Sequence, residues 1–457
     1  MGSGDYEDLG RPAAVDVQHS ESLSQSRRLR CLTAAFSGCV FSAIVLWSIL
    51  PGAQCARRLF LLGNAVPIQQ TGTGNVPNHA DSLTCVDTQY EPDDNGEPVW
   101  CYYNDTHPMP VDSYMQEFSL PLTTPEIFIV DKRYGVREGL VSYETGKTAS
   151  GGVHMSFAFE TDTPGCSANV CLMWKPNGGL GVVLSQYHEV PARCWNSRTV
   201  LVARIMFPRA EGLSPIHINS FRAQIDLMAQ KFYGLGEDVI FNTISLKSAH
   251  MPITIDGLHA HMLSLETDRG DITARMTVYG NATVESTYGD ISTDVRLVAR
   301  SGYSAPALRL AKFGGPLLST VALSGDLGPE DAMHYTISAG SVAGPIVLTV
   351  AEIPPRANID LVTMAVLSRT VVTIHPAFEG NITLNSKDGA LPTLSVEPHP
   401  EDPERLGRNR TVMTDVKDGE DGLTISGQVF WGERGERPLH GRIMCLSVEG
   451  AGLLVQL

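Results

Sequence analysis

The sequence predicts an all-β fold, β-solenoid-like or β-sandwich-like, built from 19-residue repeat units and preceded by one transmembrane helix. Three observations predict it: a phrase that returns at fixed spacing, short apolar runs bounded by Gly or Pro, and one uncharged stretch near the N-terminus.

The spacing carries the most weight. Leu246, Ser248 and Ile253 set a pattern of an apolar residue, a hydroxyl residue two places on, a turn, and a second apolar residue. Leu265, Thr267 and Ile272 repeat it 19 residues later, and Val284, Ser286 and Ile291 repeat it 19 residues after that. A fixed period of this size marks units that bury their apolar edge only by stacking on neighbours. The phrase returns from Leu384 to Leu391 and, more loosely, from Leu446 to Leu453. It predicts Leu246, Leu265 and Val284 in one inward row and Ile253, Ile272 and Ile291 in another, within a repeat core of about 241–457.

Upstream of the repeats, residues 127–130, 153–159, 200–207 and 216–225 read as strands, being short, rich in β-branched or aromatic residues and bounded by Gly or Pro. The best helical candidate is 227–234. The abundance of Gly (43) and Pro (28) agrees with a turn-rich β protein.

Residues 31–50 carry no charge, and about 20 residues of helix span roughly 30 Å, the thickness of a bilayer core. Trp47 suits the interface and Pro51-Gly52 ends the helix. A cleaved signal peptide, cut between Gly52 and Ala56, is the alternative, but its apolar core is ordinarily shorter. Arg27, Arg28 and Arg30 precede the segment and Arg57 and Arg58 follow it, which favours a cytosolic N-terminus by one charge. The expected layout is a disordered cytosolic tail (1–30), the anchor (31–50), a Gly/Pro-rich stalk (51–116) and a β-rich ectodomain (117–457). The ectodomain is expected outside the cell or in the lumen of the secretory pathway.

Other signals agree with that orientation. The glycosylation sequons at Asn104, Asn281, Asn381 and Asn409 all follow the anchor. Six cysteines also follow it and Cys55: Cys85, Cys101, Cys166, Cys171, Cys194 and Cys445, an even number in a compartment that permits disulfides. Cys85 and Cys101 are the most local pair; free buried thiols are the alternative. A formal charge of −16 argues against nucleic acid as a partner, since phosphate binding needs a basic footprint.

These phrases resemble a group of fungal, basidiomycete-type single-pass membrane proteins with an adhesin-like β-repeat domain. The likeness rests on the run from Leu246 to Ile255, the strand from Gly427 to Gly432, and the stretch from Glu401 to Arg410 that precedes it, and it covers roughly 117–457. The turns depart from that group's pattern, with Asp-Arg-Gly-Asp at 268–271 and Thr-Tyr-Gly-Asp at 287–290. The resemblance implies a fold and a location, and no substrate.

Arg269-Gly270-Asp271 spells an integrin-read tripeptide, but Gly289-Asp290 holds the equivalent place in the next unit, so a repeat turn explains it. His259 and His261 would share one side of a strand, without a third metal ligand. Asp268, Asp271, Asp290 and Asp294 match no calcium-loop spacing and read as solvated turn acids. The glycine-rich Gly178–Gly181 run lacks the Lys-Ser/Thr of a phosphate loop. No catalytic, cofactor or metal residue is nominated. The expectation is a non-enzymatic, membrane-anchored, glycosylated adhesin-like protein whose partners are the membrane and a cell-wall glycan or another surface protein. The alternatives are a membrane-tethered carbohydrate-active enzyme on a β-helix, which would need two carboxylates about 5–9.5 Å apart, and a passive spacer.

Overall fold

The computed structural model describes most of residues 113–457, apart from 133–137, 149–150, 162–168, 176–177, 186–198, 210–213, 327–332, 388–390, 399, 420–421, 434–440 and 449–451. The expected tail, the anchor and nearly all of the stalk lie outside the described residues. Among the described residues no helix is long and apolar enough to cross a membrane.

The described chain is all-β, with one 3₁₀ turn at Gly236–Asp238. It opens with β1 (Ser113–Leu120), β2 (Ile127–Lys132), β3 (Glu138–Gly146), β4 (Val153–Thr161), β5 (Asn169–Trp174), β6 (Leu180–Ser185) and β7 (Thr199–Pro208). A regular series follows: β8 (Ile216–Gln224), β9 (Ala229–Tyr233), β10 (Val239–Ser248), β11 (Ile253–Thr267), β12 (Ile272–Ser286) and β13 (Ile291–Arg300). It continues through β14 (Ala307–Lys312), β15 (Leu317–Asp326), β16 (His334–Ser341), β17 (Ile346–Glu352), β18 (Asn358–Ala365) and β19 (Thr370–Ile374). The last strands are β20 (Gly380–Ser386), β21 (Thr393–Ser395), β22 (Arg410–Gly419), β23 (Gly422–Trp431), β24 (Gly441–Ser447) and β25 (Leu453–Gln456).

These strands form two parallel stacks, and each rung contributes one strand to each. Face A runs β6, β2, β8, β10, the second halves of β11 and β12, then β14, β16, β18, β24 and β20. Face B runs β7, β3, β9, the first halves of β11 and β12, then β13, β15, β17, β19, β25 and β21. The inward side chains of both faces share one apolar core.

Both expected rows are present and extend well past the repeats that revealed them. Leu246, Leu265 and Val284 stand in register on face A, and the row continues through Leu310, Ala339, Thr363 and Cys445 to Leu384. Ile253, Ile272 and Ile291 do the same on face B, followed by Leu317, Ile346, Thr370 and Leu453. The hydroxyl of the phrase has a structural task. Ser248, Thr267 and Ser286 are buried in a third row, at the corner. Ser248 Oγ accepts from the Met251 amide at 3.1 Å, while Thr267 and Ser286 donate to the Gly270 and Gly289 carbonyls at 2.6 and 3.0 Å. The row then meets Lys312, whose buried ammonium donates to the same Gly289 carbonyl and lies 3.8 Å from Asp290. Burial holds this ammonium below the usual lysine range, against the opposing pull of Asp290 and Asp271.

Two details differ from the sequence reading. Residues 229–233 of the expected helix form β9, because the alternation that buries Gln230 and Phe232 fits between β3 and β11. In the last repeat the inward residue is Cys445 rather than Leu446, so that Cys445 and Ser447 stand against Leu384 and Ser386. A one-residue slip exchanges the faces of a strand.

The ends depart from sequence order. β2 and β3, the first rung in sequence, lie between the β6–β7 and β8–β9 rungs. β24 and β25, the last, lie between β18–β19 and β20–β21. Antiparallel strands finish the stacks: β5 on β6, β4 and β1 on β7, and β23 and β22 on β20.

Candidate functional site

β11 and β12 are the longest strands, each of 15 residues, and serve both faces in turn. Their pairing is irregular between Asp256/His259 and between Ala260/Met262, and Gly257 takes φ +87°, a left-handed conformation that suits glycine. The irregularity turns His259, His261 and Met262 outward while Leu258, Ala260 and Leu263 remain in the core. Tyr279, one rung on, is pressed against the two imidazoles: His259 Nδ1 is 3.1 Å from its hydroxyl, and the His261 ring lies 5.3 Å from its ring. The Arg300 guanidinium covers Tyr279 at 3.8 Å, a cation–π contact. Tyr303 stacks on His261 with centroids 5.3 Å apart and planes 22° apart, and remains 59% exposed. The result is a patch of planar side chains with polar edges.

Its imidazoles are tuned towards the neutral form. Burial lowers the pKa of His259, with the Glu237 charge opposing and Arg300 assisting; burial, Arg300 and His217 lower that of His261. Neutral imidazoles can stack, donate and accept.

The other sequence candidates separate. Asp271 Oδ1 accepts from the Asp290 amide at 2.7 Å across adjacent turns, whereas Asp294 lies on face B, 3.9 Å from Arg275. Among the described residues no group of three His, Cys, Asp or Glu side chains is placed to hold a metal ion. Arg269 and Asp271 are exposed and Gly270 is buried in the stack of turns. Gly178 takes φ +85° in a turn in which the Lys175 and Gly178–Gly179 backbones pair, next to a Lys175–Glu126 contact of 3.1 Å. Asn281 and Asn381 are exposed on face A, in one register column that runs through Ala307, Thr336, Asp360 and Arg442; Asn409 is exposed in the loop before β22. Asn104, Cys85, Cys101, Cys166 and Cys194 lie outside the described residues, as does the side chain of Cys171. Cys445 is a free, fully buried thiol, which burial pushes up to about 12 despite its contact with Thr363. Such a thiol is an inert core residue rather than a nucleophile.

The stretch from Glu401 to Arg410 is tied by Asp402, which accepts from the Glu404, Leu406 and Arg408 amides at 2.9–3.1 Å and from the Arg408 guanidinium at 2.8 Å. The Arg408 contact holds its carboxyl well below the usual range. Trp431 Nε1 donates to the Pro376 carbonyl at 3.1 Å. Both phrases therefore secure the C-terminal cap. A cavity of about 400 Å³ nearby contains His375 and one carboxylate side chain, Glu397.

Sequence reasoning missed Asp131. Its side chain is buried with Oδ1 unpartnered, and burial, then the Asp226 charge, pushes its carboxyl up to about 7. A raised carboxyl adds stability that is full below the unfolded value of 3.8 and is lost as pH rises through about 7. Asp131→Asn keeps the neutral form throughout. Urea titrations should show the variant more stable by up to about 4 kcal/mol near pH 8 and unchanged at pH 3. An equal difference at both pH values would remove the ionisation argument.

No family model matches the chain, and no curated protein matches it. Solved structures give weak likenesses. One, described as a putative cell adhesion protein from Clostridium sporogenes, is 8% identical with a TM-score of 0.16, covering 75% of this chain and 98% of its own. A putative adhesin from Bacteroides fragilis is 10% identical with a TM-score of 0.25, covering 76% and 97%. A putative adhesin from Parabacteroides merdae is 9% identical with a TM-score of 0.25, covering 58% and 90%. Chains with scores this low do not superpose as whole molecules.

Proposed function

We propose that the chain is a non-enzymatic, membrane-anchored, glycosylated adhesin-like protein whose described strands wind as a β-solenoid. The observation that carries this reading is the outward cluster of His259, His261, Tyr279, Arg300 and Tyr303 at the local register shift between β11 and β12 in the parallel stack. A rigid β scaffold that holds planar and polar groups on its surface is built for contact with another molecule. The uncharged stretch at 31–50 supports anchoring, and the exposure of Asn281, Asn381 and Asn409 supports glycosylation.

The rival hydrolase needs a pair of carboxylates beside a bound sugar. The described cavity offers one carboxylate side chain beside an imidazole, so it gives that reading no specific support. The test is to display the full chain on vesicles and measure adhesion to cells and to immobilised glycans, alongside release of reducing sugar. Adhesion without hydrolysis is expected. Sugar release that disappears in a Glu397→Gln variant would overturn it in favour of the enzyme.

A further inference from the structure

We propose that the patch at His261 and Tyr303 is a carbohydrate-binding site that takes β-linked pyranoses with equatorial substituents, of the chitobiose type. The inference rests on the adhesin-like reading and adds the ligand class.

The argument begins with shape. A pyranose with all-equatorial substituents presents a flat C–H face and a rim of hydroxyls. The C–H face needs an exposed planar surface, and the rim needs planar donors and acceptors at its edge. Tyr303 supplies the exposed ring, and His261 lies nearly parallel beneath it, which fixes the orientation of the pair. Met262, 52% exposed, extends the apolar surface along β11. Arg300 and His259 supply the edge groups, and both are held in place through Tyr279. The site is thus pre-organised, which reduces the ordering cost of binding.

The second argument is placement. Asn281, the centre of a sequon, is paired in register with Met262 and is itself exposed. A Cβ on the preceding Gly280 would stand 2.6 Å from the His261 carbonyl, so the two rungs are in close contact here. An N-linked glycan on Asn281 would begin with two β-linked N-acetylglucosamines within reach of the platform. The same chemistry can arrive on a separate oligosaccharide. The ligand is one class with two sources.

The experiment uses the full chain in detergent, produced with and without N-glycosylation, and titrates chitotriose by calorimetry. Unglycosylated protein is expected to bind it. Tyr303→Ala should weaken binding about tenfold, while Tyr303→Trp should retain it. Circular dichroism of each variant checks the fold, and His261→Ala provides a second, independent loss. If the protein's own glycan is the occupant, glycosylated wild type will bind no chitotriose and Asn281→Gln will restore binding. If the source is external, glycosylation will leave the affinity unchanged. Failure of unglycosylated wild type to bind, or equal affinity for Tyr303→Ala and wild type, overturns the site. Failure of vesicles bearing the chain to adhere to cells, with chitotriose binding retained, would sink the adhesin reading alone.

Discussion

Leu265→Asp is expected to abolish folding at neutral pH, while Glu266→Ala leaves it nearly intact. Leu265 is fully buried, with Leu246 and Val284 in register on either side. Strands in a ladder lie about 4.8 Å apart, so both neighbours touch the replaced side chain. Loss of the leucine alone costs about 2–5 kcal/mol. An unpaired carboxylate in that place adds a further desolvation cost of several kcal/mol or must take up a proton. Glu266 points to solvent, where its 2.8 Å contact with Lys247 is half-exposed and worth about 0–1 kcal/mol. Urea unfolding followed by sheet dichroism would separate the two variants. Partial recovery of Leu265→Asp near pH 4 is also expected, as the carboxyl becomes neutral. Equal midpoints for the two would refute the stacked-row account.

Gly270→Ala is expected to destabilise the protein by about 1–3 kcal/mol or more, and Arg269→Ala by less than about 0.5 kcal/mol. A Cβ on Gly270 would be driven into the Met251 carbonyl, and one on Gly289 into the Gly270 carbonyl. The turns stack as tightly as the strands they join, and backbone cannot yield as a long side chain can. Arg269 is exposed, and its amide donates to the Ala249 carbonyl at 2.8 Å, a contact that the substitution keeps. The tripeptide at 269–271 is therefore explained by turn geometry. Thermal unfolding of both variants tests this; loss of cell adhesion in Arg269→Ala with stability unchanged would restore a recognition role.

The sequence disclosed the rows where the turns have one length. Between β10, β11 and β12 the corners have the same length, so residues in register such as Lys247 and Glu266 are 19 apart. Further on the rungs lengthen: Thr293 and Ser319 are paired in register at a separation of 26. The period vanishes while the register persists, which hid Leu310, Ala339 and Thr363 from a spacing argument. Alternation also says which face a residue takes and nothing about which strand lies alongside. The interleaved rungs at both ends were therefore illegible. The patch was half legible: the His259 and His261 spacing placed them on one side. Tyr279, 20 residues from His259, was within reach of the repeat offset, whereas Tyr303 enters from a loop after β13 that the period does not cover.

The interleaving has a mechanical consequence. A simple stack yields under tension by peeling, one outer strand at a time, because its first and last rungs each have a free edge. Here a pull at the C-terminal end of the described residues acts first on β25 and then on β24, each hydrogen-bonded along both edges, whereas at the N-terminal end it meets β1, which pairs with β4, before it reaches β2–β3. From the C-terminal end, the strands paired along one edge, β22 and β21, are reached later. Rupture must then shear two ladders at once, and the force needed for the first break should exceed that for the rungs that follow. A tether that must hold against flow would gain most from strength placed in its outermost segments.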